Sequence, residues 1–131
     1  FVLAATSNPE AAVLQHPRRD GQRSLSAEII AEVSARSAAG VPAGEWGSIG
    51  YVIGATIDWE IAGLTPFAQA PILAPGFGQQ GAGPADLTVR FGTMAPCVIA
   101  SESRSLLSAG PGELGDAIRT RSAEYREAQD A

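Results

Sequence analysis

Pro71-Ile72-Leu73-Ala74-Pro75-Gly76-Phe77-Gly78-Gln79-Gln80-Gly81-Ala82-Gly83-Pro84 is the stretch on which the reading of this chain turns. Ile72, Leu73 and Ala74 predict a short apolar strand that runs into Pro75 and a glycine-rich loop, and beyond Pro84 the pattern turns helical. Strand, glycine loop and helix start, in that order, let an α/β protein hold a phosphate. Glycines allow the backbone to approach closely and turn N–H groups inward, and the helix N-terminus adds partial positive charge. A glycine-rich surface loop without a ligand has the same composition, so the flanking chain must decide between the two.

The flanks repeat the pattern of a short apolar run followed by polar residues. Phe1 to Ala5 reads as a fully buried strand, with Thr6-Ser7-Asn8-Pro9 at its carboxyl end. Asn8-Pro9 stops that strand and starts a loop or a short helix over Glu10 to Leu14, and the polar stretch from Gln15 to Gly21 is expected at the surface. From Ser24 the period is helical, with Leu25, Ile29, Ile30 and Val33 on one face and Glu28, Glu32 and Arg36 on the other, until Gly40 to Gly44. Gly50 to Ala55 is a second strand with Thr56 at its end, and Ile57 to Phe67 is a turn or short amphipathic helix. After the central stretch, Ala85 to Phe91 reads as a short helix with Leu87 and Phe91 inward and Asp86 and Arg90 outward. Pro96 to Ala100 is the fourth strand, Ser101 to Arg104 lie beyond it, and Glu113 to Gln129 form a helix with the stripe Leu114, Ile118 and Tyr125, preceded by Pro111-Gly112.

Alternating strands and helices, with strands that are apolar throughout, predict a parallel sheet covered by helices. The polar residues gather at the carboxyl ends of strands, which in a (β/α)₈ barrel is the edge of the active site, with phosphate held after the last two strands. Four units make half a barrel. A small open sheet, such as a flavodoxin-like domain, is the alternative.

Composition narrows the function classes. The chain has 131 residues, suited to one modest domain or part of a larger one, and 45% hydrophobic residues, ordinary for a folded protein. A net charge of −5 with pI near 4.7 argues against general binding to nucleic acid or to an anionic membrane. The single Cys97 allows no internal disulfide and reads as a small buried apolar residue, while the single His16 reads as a loop residue; no cluster suggests a metal. The uncharged run from Ile61 to Ala85 is broken by four prolines and five glycines and is not a membrane helix. All nine cationic side chains are arginine, so the sequence contains no lysine. The chain opens inside an apolar strand-like run, which we read as the mark of a fragment of a larger protein.

Four motifs together resemble one family. Phe1-Val2-Leu3-Ala4-Ala5-Thr6-Ser7-Asn8-Pro9-Glu10, Gly50-Tyr51-Val52-Ile53-Gly54-Ala55-Thr56, Ala74-Pro75-Gly76-Phe77-Gly78-Gln79-Gln80-Gly81 and Ser103-Arg104-Ser105 are similar, in order and spacing, to the second half of the actinobacterial type of orotidine 5′-phosphate decarboxylase. The resemblance implies that residues 1–131 are strands five to eight of a (β/α)₈ barrel, the C-terminal half of a single domain. It implies that Ser7 contacts the pyrimidine and that Thr56 supports the site. It further implies that Pro75, Gly76, Gly78, Gln80 and Gly81 form the loop closing over the nucleotide, and that Arg104 grips the phosphate. The family usually places two glycines directly after the loop glutamine, whereas Gly81-Ala82-Gly83 stand here, and Glu102-Ser103 also depart from some relatives.

The family's proton donor is a lysine which, with aspartates, follows strand three in an Asp-x-Lys-x-x-Asp sequence. With no lysine in this chain, the resemblance implies no catalytic residue within it and no decarboxylation by it alone. The expected partners are orotidine 5′-phosphate or uridine 5′-phosphate and an N-terminal half-barrel carrying the Lys and Asp residues, the complete barrel forming a homodimer. No cofactor, nucleic acid or membrane is expected, and the implied location is the cytoplasm, in de novo pyrimidine synthesis. Two other readings share these residues: a non-enzymatic half-barrel fragment or fusion module, and part of another sugar-phosphate-binding barrel enzyme.

Overall fold

A computed structural model describes residues 1–16, 23–37, 41–42, 45–66 and 70–130. Its elements run β1 (Val2–Ala5), α1 (Pro9–Gln15), α2 (Leu25–Ser37), β2 (Tyr51–Ile53), α3 (Trp59–Ala62), β3 (Ile72–Pro75), α4 (Asp86–Phe91), a 3₁₀ segment (Gly92–Cys97), β4 (Val98–Ser101), α5 (Arg104–Leu107) and α6 (Gly110–Asp130). Most of the polar stretch from Gln15 to Gly21 and of the turn from Gly40 to Gly44 falls outside the described residues.

All strand pairs are parallel and the spatial order is β1-β2-β3-β4. That order decides between the two α/β alternatives. A flavodoxin-like sheet places its second strand outside its first, whereas a barrel adds each strand beside the one before it. A sequential four-stranded parallel sheet alternating with helices is consistent with half of a (β/α)₈ barrel.

The register separates the two faces of the sheet. Tyr51, Ile53, Ile72 and Ala74 are fully buried, and Tyr51 shows what covers them: its hydroxyl donates to Ile30 O (3.0 Å) and lies 2.5 Å from Ser34 Oγ, both on α2. The next residues along each strand face the other way. Leu3, Val52, Leu73 and Ile99 align across all four strands. Leu3 is 56% and Ile99 40% exposed, with Val52 and Leu73 half-buried. One face is thus a core under helices, and the other carries an apolar row that the described residues leave uncovered.

Local chemistry sets the helix ends that frame this core. Ser24 is buried; its Oγ accepts from Ala27 N–H (3.2 Å) and donates to Ala62 O (2.7 Å), capping α2 and tying it to α3. Asp58 caps α3 by accepting from Ile61 N–H at 2.9 Å, and Gly63 closes it with φ +68°, where a β-carbon would be strained. Leu87 and Phe91 of α4 are buried as expected, with Trp59 edge-on to Phe91 at 5.9 Å.

Several expectations need correction. The first strand is buried only at Ala4 and Ala5: Phe1, Val2 and Leu3 are exposed, because β1 pairs on one side only and its outer face is uncovered. The fourth strand begins at Val98, since Pro96 and Cys97 lie in a 3₁₀ turn that opens at Gly92 with φ +50°. Cys97 is buried as read. On α2, Leu25 is exposed and Ser26 and Ser37 are buried with Ile30 and Val33, because Ser24 ties the first turn to Ala62 O of α3 and so turns Ser26 inward and Leu25 outward. Pro111 and Gly112 lie inside α6, which starts at Gly110, and Ile118 is exposed; of the expected stripe, Tyr125 packs against the core.

Candidate functional site

The residues singled out in the sequence all fall at the carboxyl edge of the sheet, in two adjoining groups. At the ends of β1 and β2, Ser7 and Thr56 line one cleft of about 270 Å³, together with Thr6, Asn8, His16 and Asp58. Its wall is held by Thr6 Oγ1 donating to Asn8 Oδ1 (2.6 Å) and by Thr6 N–H on Gln15 Oε1 (3.0 Å). Ser7 is exposed and Thr56 half-buried, and Gly54 packs beside Ser7.

The second group follows β3 and β4, whose last residues Pro75 and Ser101 are register partners. Gly76 has φ +124° and packs against Ala55, beside Thr56, and Pro75 O accepts Ala55 N–H at 2.7 Å, joining the two groups. The glycine loop then folds on itself. Gly78 N–H donates to Ala82 O (2.7 Å), Gly81 N–H to Gly78 O (2.9 Å) and Ala82 N–H to Gly76 O (3.2 Å). Gly83 N–H is taken by the Asp86 carboxylate at 2.8 Å, which with Arg90 at 3.2 Å holds Asp86 below the usual carboxylate range.

These bonds narrow the opening reading of the loop: the N–H groups of Gly78, Gly81, Ala82 and Gly83 are satisfied internally and the start of α4 carries its own carboxylate, so these four donors are not open to an anion. The loop instead delivers its tip toward the β4 turn. A Cβ on Gly78 would overlap Ser105 Oγ and fall 2.6 Å from Glu102 Oε1. Arg104 stands between those two residues in the chain, exposed, as the first residue of α5. Among the described residues it pairs with no carboxylate, unlike Arg36, Arg90, Arg119 and Arg121. Gln79 and Gln80 are both exposed at the loop tip, so burial does not separate them, and Gly81 is exposed beside them.

The arrangement offers a free guanidinium, a glycine loop brought against its turn, and hydroxyls from two neighbouring strand ends on one edge. A planar set of donors suits a phosphate, and hydroxyls suit a polar heterocycle. Among the described residues, no group of His, Cys, Asp and Glu is placed to hold a metal, and no helix is long and apolar enough to cross a membrane.

Sequence reasoning missed the support beneath this edge. The Glu102 side chain is 2% exposed, accepts Ser105 Oγ–H (2.6 Å) and Tyr125 O–H (3.1 Å), and pairs with Arg121 Nε (3.2 Å). Tyr125 had a sequence signal only as part of an apolar stripe, and Glu102 only as a departure from a motif.

No family model matches the chain. The chain is strongly homologous to orotidine 5′-phosphate decarboxylases. It is 46% identical over 111 residues to that of Salinispora arenicola, covering 85% of this chain and 38% of the relative. It is 43% identical over 129 residues to that of Salinispora tropica, covering 96% and 42%. A crystal structure from Streptomyces avermitilis, named provisionally as the same enzyme, superimposes with a TM-score of 0.81 at 40% identity over 100% of this chain and 45% of that one. The chain therefore spans less than half the length of the relatives it matches.

Proposed function

We propose that this chain is the substrate-holding half of an orotidine 5′-phosphate decarboxylase, strands five to eight of its barrel. In this reading Arg104 grips the phosphate, Gln80 and the loop from Pro75 to Gly81 close over the nucleotide, and Ser7 contacts the pyrimidine with Thr56 beside it. The observation that carries it is the approach of the Gly78 loop to the β4 turn, beside an exposed arginine that no carboxylate neutralises among the described residues. In barrels, phosphate is held at the loops after the last two strands, which supports reading β3 and β4 as the seventh and eighth.

The complete barrel converts orotidine 5′-phosphate to uridine 5′-phosphate and CO₂. This half supplies binding energy remote from the bond that breaks, and the other half supplies the proton donor that a chain without lysine lacks. The uncovered row Leu3, Val52, Leu73 and Ile99 supports the need for that partner, because an apolar sheet face and two unpaired edges seek cover.

The test mixes this chain with the first half of the Salinispora arenicola protein and measures CO₂ release from orotidine 5′-phosphate. The expected result is no turnover by the chain alone and turnover by the pair. Turnover by the chain alone, a stable monomer that ignores the companion, or a pair that ignores the substrate would overturn the reading. Arg104→Ala should weaken uridine 5′-phosphate far more than uridine; equal weakening removes Arg104 from the grip.

A further inference from the structure

The carboxylate of Glu102 is the most enclosed charge on the carboxyl edge, and nothing in the grip described above uses it. Its position is unusual for a protein that binds a dianion. It sits close in sequence to Arg104, within reach of the glycine loop, and carries the sign that repels phosphate. Left unpaired, it would compete for the Arg104 guanidinium. Three groups hold it away, and two of them come from one helix, α6: Arg121 Nε at 3.2 Å and Tyr125 Oη at 3.1 Å, with Ser105 Oγ at 2.6 Å completing the set. The Tyr125 ring also meets the glycine loop directly, edge-on to Phe77 at 5.4 Å and 86°, and Phe77 is buried. Tyr125 therefore touches both loops of the grip, one through its ring and one through its hydroxyl. Burial, and then the adjacent Glu102 charge, push the pKa of that hydroxyl above the ordinary tyrosine value, so it stays a donor.

We propose that Tyr125 of the C-terminal helix is a positioning residue for phosphate binding. It holds Glu102 off Arg104 and fixes the Gly78 loop against the β4 turn, so that the two gripping elements are preorganised together. The inference rests on the phosphate-holding role argued above and assigns α6 a part in it. Arg121 acts with Tyr125 by neutralising Glu102. Ser105 shares the Glu102 oxygen that faces Gly78, which makes the contact between the two loops depend on where that carboxylate is held.

The test measures binding of uridine 5′-phosphate, uridine and inorganic phosphate by calorimetry to the pair formed with the first half of the Salinispora arenicola protein, this chain being native, Tyr125→Phe, Arg121→Gln, Arg104→Ala or the double variant Tyr125→Phe/Arg104→Ala. Tyr125→Phe keeps the ring on Phe77 and removes only the hydroxyl. It should weaken uridine 5′-phosphate and inorganic phosphate by about 3- to 30-fold, the range of coupling that such networks carry, and leave uridine unchanged. Arg121→Gln should act in the same direction, and because Arg121 is 34% exposed it serves if the tyrosine variant does not fold. In the Arg104→Ala background, Tyr125→Phe should add nothing further. A purely structural role would shift the melting temperature and weaken uridine and its phosphate together. That outcome, an unchanged phosphate affinity, or an additive loss in the double variant overturns the proposal. If the pair built on the native chain binds no phosphate ligand, the functional reading falls and this inference with it; native binding that Tyr125→Phe and Arg121→Gln leave intact overturns this inference alone.

Discussion

Replacing Gly78 by alanine should damage the chain more than replacing Gly110, although the two glycines share a backbone conformation. Their φ values are +72° and +77°, so an alanine at either meets the same left-handed strain. That strain costs about 1–2 kcal/mol, offset in both cases by the about 0.4–1 kcal/mol that a less flexible unfolded chain returns. What differs is the space around each. A Cβ at Gly110 meets nothing within 4 Å, whereas one at Gly78 overlaps Ser105 Oγ and comes within 2.6 Å of Glu102 Oε1. Neither of those atoms is a loose side-chain end, because they are bonded to each other at 2.6 Å and Glu102 is also held by Arg121 and Tyr125. Overpacking of this kind costs about 1–3 kcal/mol, and breaking a hydrogen bond to a charged group a similar amount. Gly78→Ala should therefore lose about 2–4 kcal/mol more than Gly110→Ala. Urea unfolding, followed by circular dichroism in the assembly in which the chain purifies, measures both. Equal losses, within about 0.5 kcal/mol, would show that the loop and the β4 turn do not meet, and would remove the contact on which the candidate site rests.

Tyr51→Phe should destabilise by about 1–3 kcal/mol in the same unfolding assay, because the tyrosine is fully buried and its hydroxyl bridges Ser34 and Ile30 of α2. The Asp86 carboxyl is held below its ordinary value by the Gly83 N–H and then by Arg90, so its contribution to stability is present above the unfolded pKa and is lost as pH falls through the lower folded value. Accordingly, native chain and Asp86→Asn should differ most near neutral pH and converge in acid below about pH 4, read by unfolding at a series of pH values. Leu3→Glu and Ile99→Lys lie on the uncovered row, where they should alter the chain's own stability by no more than about 0.5 kcal/mol and yet block its pairing with a first-half barrel in gel filtration. A large loss of stability would mean that this row is already packed.

The apolar runs and the polar residues that follow them were enough to place every strand to within a few residues. A continuous run such as Ile72-Leu73-Ala74 has few other uses in a short α/β chain. The identities of Ser7, Thr56, Gly78 and Arg104 as edge residues were legible for the same reason, since a residue after a parallel strand must stand at the carboxyl edge. Local sequence erred where distant parts of the chain decide. Whether Leu3 is buried depends on what lies across the sheet, and which side of the first turn of α2 faces inward depends on Ser24 reaching Ala62 O, 38 residues away.

The sequence by itself determined a parallel α/β sheet, its four strands, and an arginine and a glycine loop at the carboxyl edge of that sheet. Those follow from patterns with periods of a few residues. Tertiary structure alone decided the sequential strand order, the seating of Gly78 against Glu102 and Ser105, and the meeting of Glu102 with Arg121 and Tyr125. These are contacts between residues far apart in the chain, fixed by how helices pack on the sheet, and no local pattern encodes them.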